Sequence, residues 1–246
     1  MDRNAVIATA SSYIMGGLVE HNPAKVKFAP DVYRVENGWD TGNGAEGVGM
    51  NLKAAVMDEI IGMRNMRWTV QGDEAVCRFE LQHIRGPMQI FEYFRVQDGV
   101  IKEIRANFGG NETPVAFGKP IVARPLSVAA VMPTTPEGIL AHQFFRALEG
   151  RDLSKASLAK DVSLSDCNSP TVHGHAGLNE WMGAGLAKET RGVTVEKYIT
   201  EGPEVVALTR WHRSDGRNYA VTAYFRIFED QIREIQVSWG RAPDKL

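Results

Sequence analysis

The pattern of apolar and polar positions predicts two similar β-hairpins, one near residue 93 and one near residue 224. The stretch YFRVQDGVIKEIRANF begins at Tyr93 and alternates between apolar and polar residues on both sides of an Asp-Gly turn. The stretch YFRIFEDQIREIQVSW begins at Tyr224 and repeats this alternation 131 residues later. The chain therefore carries the same pair of strands twice.

Segments upstream of each hairpin repeat in the same order. QGDEAVCRFELQH from Gln71 matches EGPEVVALTRWHR from Glu201 at an offset of 130 residues. APDV from Ala29 matches AKDV from Ala159 at the same offset, and each follows a segment with apolar residues at helical spacing. Three colinear matches at a nearly constant offset indicate a duplicated domain.

A proline-rich stretch separates the two copies. We predict a first domain over residues 1–112, a connector over 113–135 and a second domain over 136–246, because prolines recur through the connector. Pro136 suits the first turn of a helix, with Thr135 as its cap. Each copy reads as helix, short strand, helix, then three or four antiparallel strands. This order predicts an α+β fold in which helices close one face of a curved sheet, leaving a pocket.

Composition narrows the classes of function. The 246 residues are 43% hydrophobic and carry a formal net charge of −2, which argues against a nucleic-acid or anionic-membrane surface. The N-terminal residues have no apolar run of signal-peptide type, and no later stretch is long enough to span a bilayer. Cys77 and Cys167 have neither metal nor redox spacing, so we expect a cytoplasmic protein without disulfides.

The order of these elements and the hairpin phrase resemble the nuclear transport factor two-like superfamily. Its members include ketosteroid isomerases, scytalone dehydratase, limonene epoxide hydrolases and SnoaL-type polyketide cyclases. The resemblance covers nearly the whole chain, once per half, and implies two tandem cone-shaped α+β barrels. Because the hairpin phrase is typical of the whole superfamily, it indicates the fold and not the reaction.

The ketosteroid isomerases within this superfamily suggest site residues in the first half. Their helix tyrosine, base carboxylate and protonated late-strand carboxyl correspond to Tyr13, Glu36 and Glu92. Inside an apolar cone a carboxylate has a raised pKa and becomes a usable base, while a protonated carboxyl can donate to an oxyanion. The alternative is that Tyr13 is a core-edge residue and Glu36 a solvated turn residue. If the strand register is reversed, Tyr93 and Arg95 point inward instead of Glu92.

The second half keeps only part of this pattern. Asp166 corresponds to Glu36, whereas Phe144 or a neighbour replaces the tyrosine and Ala223 replaces Glu92. His173 and His175 precede a helix, and one of them could form an acid–base pair with Asp166, as the resemblance to scytalone dehydratase implies. The alternative is that both histidines are simply exposed.

Other candidates are aromatic residues and a glycine-rich stretch. The stretch from Gly38 to Asn51 lacks the features of a phosphate loop, so we expect a mobile loop over the first pocket. The side chains expected to contact a substrate are Trp39, Met50, Phe94, Phe108 and Trp181. We expect no metal site, because the two neighbouring histidines lack a spaced third ligand, and no cofactor, because no nucleotide or flavin motif is present.

The resemblance implies a cofactor-independent enzyme that acts on a small apolar or aromatic molecule by general acid–base chemistry. The most specific expectation is a lyase similar to the two-domain diarylpropane lyases of lignin catabolism, which convert a diarylpropane diol to a stilbene with loss of water and formaldehyde. The alternatives are a ketosteroid isomerase-like double-bond shift and a non-catalytic binding or dimerisation protein. Which cone works, and whether the chain forms a homo-oligomer, stay open.

Overall fold

The computed structural model describes residues 1–54, 59–110, 130–167 and 169–243. The first half contains α1 (Arg3–Ser12), a π-helical segment (Tyr13–Val19), a 3₁₀ turn (Pro23–Lys25), β1 (Phe28–Glu36), β2 (Trp39–Asn43), α2 (Gly44–Leu52), β3 (Ile60–Gln71), β4 (Glu74–His83), β5 (Gly86–Gln97) and β6 (Val100–Phe108). The second half contains α3 (Pro136–Glu149), a 3₁₀ turn (Leu153–Lys155), β7 (Leu158–Asp166), β8 (Val172–His173), α4 (Gly174–Met182), α5 (Gly185–Glu189), β9 (Thr190–Glu201), β10 (Glu204–Arg213), β11 (Asn218–Phe228) and β12 (Gln231–Arg241).

Each half forms one six-stranded sheet with the same topology. The strand orders are β2-β1-β6-β5-β4-β3 and β8-β7-β12-β11-β10-β9. The pairs β1–β6 and β7–β12 are parallel, and the remaining pairs are antiparallel. Helices pack on the inner face of each curved sheet, so the predicted α+β fold of two tandem cones is confirmed. We call them the first cone and the second cone.

Local sequence explains where several elements begin and turn. Thr135 caps α3, because its Oγ1 accepts a hydrogen bond from the Gly138 N–H at 3.0 Å while Pro136 occupies the first turn. In the β11–β12 turn, Asp230 adopts a φ of 56°, the left-handed conformation that aspartate tolerates. Both hairpins of the repeated phrase therefore form where the sequence predicts them.

Alternation along the strands separates two faces of each sheet. In β5, Ile90 and Phe94 belong to the core of the first cone, whereas Phe91 and Tyr93 pack against the other half. Glu92 thus faces the interior of the first cone, which decides the strand register left open by the sequence. The second cone has its own core, built around the aromatic residues of α3, β10 and β11.

The outer faces of the two sheets pack against each other. An apolar cluster at the centre of this interface combines Val76, Phe91 and Tyr93 of the first half with Ile199, Val206, Leu208 and Tyr224 of the second half. Polar contacts surround the cluster, such as the hydrogen bond between the Asn107 side-chain amide and the Thr222 hydroxyl at 2.7 Å. The two halves therefore pack sheet to sheet.

The glycine-rich stretch differs from the expected loop. It forms a turn at Gly38, then β2 and then α2. The Trp39 indole N–H donates to the Arg241 carbonyl at 2.9 Å, so this side chain contacts the last strand of the second half. Met50 is on α2, with 63% of its surface exposed. The connector prediction falls mostly on residues 111–129, outside the described residues, and the domain boundaries stay a prediction.

Candidate active site in the first cone

Four polar side chains are buried together inside the first cone. Tyr13, Arg34, Glu36 and Glu92 each expose at most 1% of their surface. Arg34 and Glu36 are two residues apart on β1, so strand alternation directs both to the inner face. Tyr13 opens the π-helical segment that follows α1, and such wide turns are frequent at functional sites.

The two carboxyl groups have different electrostatic surroundings. Glu36 forms an ion pair with the Arg34 guanidinium, which also lies 5.9 Å from the centre of the Tyr13 ring. Burial raises the pKa of Glu92 to about 8; Arg34 opposes this shift and Glu36 adds to it. Burial likewise raises the pKa of the Tyr13 hydroxyl well above its ordinary value. Glu92 and Tyr13 therefore both hold their protons at neutral pH.

Three buried polar atoms of this cluster make no hydrogen bond within the described part of the chain. The Tyr13 hydroxyl, the Arg34 Nε and the Glu92 Oε2 have no hydrogen-bond partner among the described residues. Buried polar atoms are rarely left unpaired in folded proteins, so each such atom needs an explanation. Three such atoms lie in the first cone, which makes this cluster the candidate site.

A small cavity lies beside these groups. Its volume is about 10 Å³, room for about one water molecule. Arg34 and Glu92 line it together with the apolar side chains of Leu18, Ile60, Leu81, Ile90, Ala106 and Phe108. Phe94 packs edge-on against Tyr13 with ring centres 5.6 Å apart. Of the predicted substrate contacts, Phe108 therefore lines the cavity and Phe94 supports Tyr13.

The second cone lacks this cluster. The sheet register places Leu164 at the position of Arg34 and Asp166 at that of Glu36. Phe144 occupies the position of Tyr13 and Ala223 that of Glu92, and both are fully buried in the second core. Asp166 is thus the only member of the cluster that the second cone keeps as an ionisable group.

Asp166 serves as a hydrogen-bond acceptor for two tryptophans. The indole N–H of Trp181 donates to Asp166 Oδ2 at 2.8 Å, and that of Trp239 donates to Oδ1 at 2.7 Å. Burial raises the pKa of Asp166, and these two hydrogen bonds oppose the shift. Trp181, a predicted substrate contact, belongs to the packed core of the second cone.

The expected pairing of Asp166 with a histidine is not formed. His173 and His175 are exposed at the start of α4, and His173 pairs with Ser163 across the β7–β8 ladder. Both Asp166 oxygens are instead bound by indole N–H groups. In the part of the chain that the structure describes, no group of three or more His, Cys, Asp and Glu side chains is arranged to hold a metal ion. None of the described helices is long and apolar enough to cross a membrane.

Arg34 is the member of the cluster that sequence reasoning missed. Its signal is the RVE triplet in β1, which puts a cation and a carboxylate on one face of a strand. A strand with its alternate residues buried on that face would bury both charges, and buried charges require partners. The pairing of Arg34 with Glu36 could have been inferred on this ground.

Similarity to solved structures extends over one cone at a time. A structure described as a putative ketosteroid isomerase from Kribbella flavida is 19% identical, covers 44% of this chain and 80% of its own, and has a TM-score of 0.37. A putative SnoaL-like polyketide cyclase from Jannaschia is 15% identical, covers 42% of this chain and 85% of its own, and has a TM-score of 0.38. An NTF2-like protein of unknown function from Cytophaga hutchinsonii is 17% identical, covers 44% and 92%, and has a TM-score of 0.36.

Sequence comparison adds one match. No curated protein matches the chain at a significant level. The model of a domain of unknown function, DUF8021, matches residues 1–108. The matched segment is the first cone, and it ends at the residue where β6 ends.

Proposed function

We propose that the first cone catalyses cofactor-independent proton transfer on a small, largely apolar carbonyl compound. One observation carries the proposal: Glu92, with a pKa of about 8 and an unpartnered oxygen, lines a cavity together with Arg34, and Arg34 forms an ion pair with a second buried carboxyl group, Glu36. Two carboxyl groups whose environments separate their protonation states are a common arrangement for a base and an acid. The cavity is otherwise lined by apolar side chains, which suits an apolar substrate.

In the proposed reaction, Glu36 removes a proton from the carbon next to the carbonyl group. The electron pair of the broken C–H bond moves toward the carbonyl oxygen and forms an enolate. Tyr13 and protonated Glu92 each donate a hydrogen bond to this oxygen and stabilise its charge. Glu36 then returns the proton to the γ-carbon, so that a β,γ-unsaturated ketone becomes the conjugated isomer. Arg34 holds Glu36 in place through their ion pair.

The size of the cavity favours small substrates. With room for about one water molecule, it must widen when a substrate enters. A small substrate displaces fewer of the apolar side chains around it and therefore loses less packing free energy. We expect cyclic enones of one or two rings to react faster than steroid-sized ones.

Dehydration is a second candidate, because a protonated Glu92 is also an acid. It could protonate a leaving hydroxyl group while Glu36 takes a proton from the neighbouring group, as the dehydration and deformylation of a diarylpropane diol require. Three other residues expected to take part in that dehydration belong to the second half, namely Asp166, His173 and His175. The proposed reaction therefore relies on the first-cone residues alone.

The test is hydrogen exchange into small ketones in D₂O. Purified protein is incubated with 3-cyclohexenone and with 5-androstene-3,17-dione, and NMR follows deuterium entry at the α-carbon and formation of the conjugated enone. A diarylpropane diol serves as a separate arm, with stilbene and formaldehyde as products. Exchange detects enolate formation even where no double bond moves.

Variants distinguish the site from background. Glu36→Gln should lower the rate by at least about 10²-fold, because it removes the base. Asp166→Asn, the change at the corresponding position of the second cone, should leave the rate unchanged. No exchange or stilbene formation with any of these compounds, or equal loss in both variants, would count against the proposal.

A further inference from the structure

An open groove of about 500 Å³ lies between the two halves, on the outer faces of the sheets. It lies on the outer side of the first sheet, because Arg78 and Glu80 on β4 point away from the core that Cys77 and Leu81 face. Its charged lining residues are Arg67, Arg78, Glu80, Glu204, Arg226 and Glu234.

Two arginines oppose each other directly at this groove. Arg67 on β3 and Arg78 on β4 are register partners, so their side chains project from the same face of the sheet. Like charges placed directly across a strand pair are destabilising. Within the described ranges the side chains of Arg67 and Arg226 make no hydrogen bond or ion pair, and both residues are exposed. The positive charge of Arg67 is therefore available to a ligand.

Contacts with residues of the second half hold the Arg78 side chain in place. Only 8% of its surface is exposed, and its guanidinium lies 3.3 Å from the centre of the Tyr224 ring. Its Nη1 donates to the Gln236 side-chain oxygen at 3.1 Å, and its Nη2 lies 3.8 Å from a Glu204 oxygen. Its Nε has no hydrogen-bond partner among the residues that the structure describes. Because the guanidinium is fixed and lines the groove, it is a preorganised anion contact.

Because the domain is duplicated, the groove at one end of the interface can be compared with the corresponding end, where ion pairs fill the space. There Glu196 forms ion pairs with Arg105 at 2.9 Å and with Arg210 at 3.2 Å. Lys197, at the position that corresponds to Arg67, is paired with Glu74 and donates to the Tyr93 hydroxyl. The cavity that remains beside these residues is only about 20 Å³.

The groove lacks the carboxylate that closes the other end. Met66 stands at the position of Glu196, and it packs against the core of the first cone. Gln236 stands at the position of Arg105. Glu204, the counterpart of the Glu74 that pairs with Lys197, lies near Arg78 instead, so Arg67 makes no ion pair among the described residues, and the space that Glu196 fills at the other end is open here.

We infer that this groove binds a small organic anion whose carboxylate or phosphate group bridges Arg67 and Arg78. A guanidinium presents its N–H donors in a fork that matches either oxyanion. Glu80, Glu204 and Glu234 balance the three arginines, so the groove disfavours a highly charged anion. The same carboxylates can accept hydrogen bonds from hydroxyl groups, and the ligand class is therefore a hydroxy acid or its phosphate monoester.

The experiment is a titration of the full chain followed by calorimetry and by ¹⁵N NMR at constant ionic strength. The probes are sodium glycerate, glycerol 3-phosphate and inorganic phosphate, which distinguish a carboxylate from a phosphate preference. Saturable binding with one site per chain is expected for at least one probe, with shifts at the amides of Gln89 and Gln236. Arg67→Gln should weaken that binding by about tenfold or more.

Lys160→Gln is the matched control, because it removes one exposed positive charge outside the groove. It should leave the affinity unchanged. Absence of saturable binding for all three probes would overturn the inference. Equal weakening by Lys160→Gln would also overturn it, because it would indicate attraction to net charge only. Arg67→Gln should not affect the exchange reaction proposed for the first cone, so the two proposals can fail separately.

Discussion

The buried hydroxyl of Tyr13 makes no well-formed hydrogen bond with the described residues of the first cone. A buried polar group without a hydrogen bond costs about 1–3 kcal/mol. The Glu92 carboxyl and the Arg34 Nε add similar costs in the same cluster. A cluster that served packing alone would be more stable with apolar side chains, as the second cone has at the positions of Tyr13, Arg34 and Glu92.

Tyr13→Phe should separate activity from stability. The change removes an unpaired hydroxyl while keeping the ring that packs on Phe94, so we expect the melting temperature to stay the same or rise. The rate of enolate formation should fall by about 10²–10³-fold, because one donor to the oxyanion is lost. Thermal unfolding and deuterium exchange, measured on the same samples, test both parts. A large loss of stability would indicate a structural hydroxyl.

Glu92 should make stability depend on pH in a defined direction. Its pKa is raised from 4.5 to about 8 in the folded protein, so the folded state binds the proton more tightly than the unfolded chain does. Its contribution to stability is fully present below pH 4.5 and is lost as the pH rises toward 8.

Glu92→Gln keeps the shape of the side chain but cannot ionise. We therefore expect the free energy of unfolding of this variant, relative to the parent protein, to increase between pH 5 and pH 9, by roughly 1 kcal/mol or more. Urea unfolding at several pH values measures the difference. A difference that stays constant across this range would contradict the raised pKa.

The sequence predicted three of the four residues of the buried polar cluster in the first cone, but not their arrangement. Tyr13, Glu36 and Glu92 followed from a family resemblance, whereas the direction of Glu92 depended on the register of β5. A shift of one residue reverses the faces of a strand, and short apolar strands do not encode that register locally. Arg34 was missed because a lone arginine in a strand usually lies at the surface.

At the scale of elements, the glycine-rich stretch that was predicted to be a loop forms β2 and α2, because it packs closely against the first cone. Glycine disfavours helices, so Gly44, Gly47 and Gly49 argued against α2. Gly42 allows β2 and α2 to pack closely, because a Cβ at this position would lie 2.9 Å from the Val48 side chain. Val48 and Leu52 of α2 are buried in the core of the first cone and hold the helix against it. The repeated strands were predicted well because their alternation is strong and occurs twice.

Asp166 links three elements of the second cone. Its two oxygens bind Trp181 on α4 and Trp239 on β12 from the end of β7. Asp166→Asn leaves one oxygen for two indole N–H groups and should lower the free energy of unfolding by about 1–3 kcal/mol. Urea unfolding gives this value, with Asp161→Asn on the exposed side of the same strand as the control. A variant as stable as the parent would show that the indoles find other partners.

At the scale of the whole molecule, the two halves should unfold together. Phe91 is fully buried at the centre of the interface, so Phe91→Ala should cost about 3–5 kcal/mol. Phe228→Ala is the matched control, because 56% of Phe228 is exposed, and it should change stability by about 0.5 kcal/mol or less. Calorimetry distinguishes the outcomes. Two separate transitions in the parent protein would show that the halves are energetically independent.

The duplication was predictable from sequence, whereas the interface was not. The two repeats share the same strand pattern, in which residues of the outer face alternate with residues of the core. No local feature of this pattern shows that the outer faces of the two sheets pack against each other. Tyr93 and Tyr224 illustrate this, since each opens a repeated phrase and each hydroxyl donates to a glutamate of its own half, Glu74 or Glu204. Their ring contacts, with Lys197 and Arg78, come from the opposite half.

Joining both cones in one polypeptide removes a constraint on how the protein can change. In a symmetric dimer of identical subunits, every substitution appears twice, at both sites and at both ends of the interface. Here residue 66 is a methionine at one end, whereas its counterpart at the other end is Glu196. One cone can likewise become an apolar support without disabling its neighbour. Selection can therefore act on each copy independently, while the shared face keeps the two together.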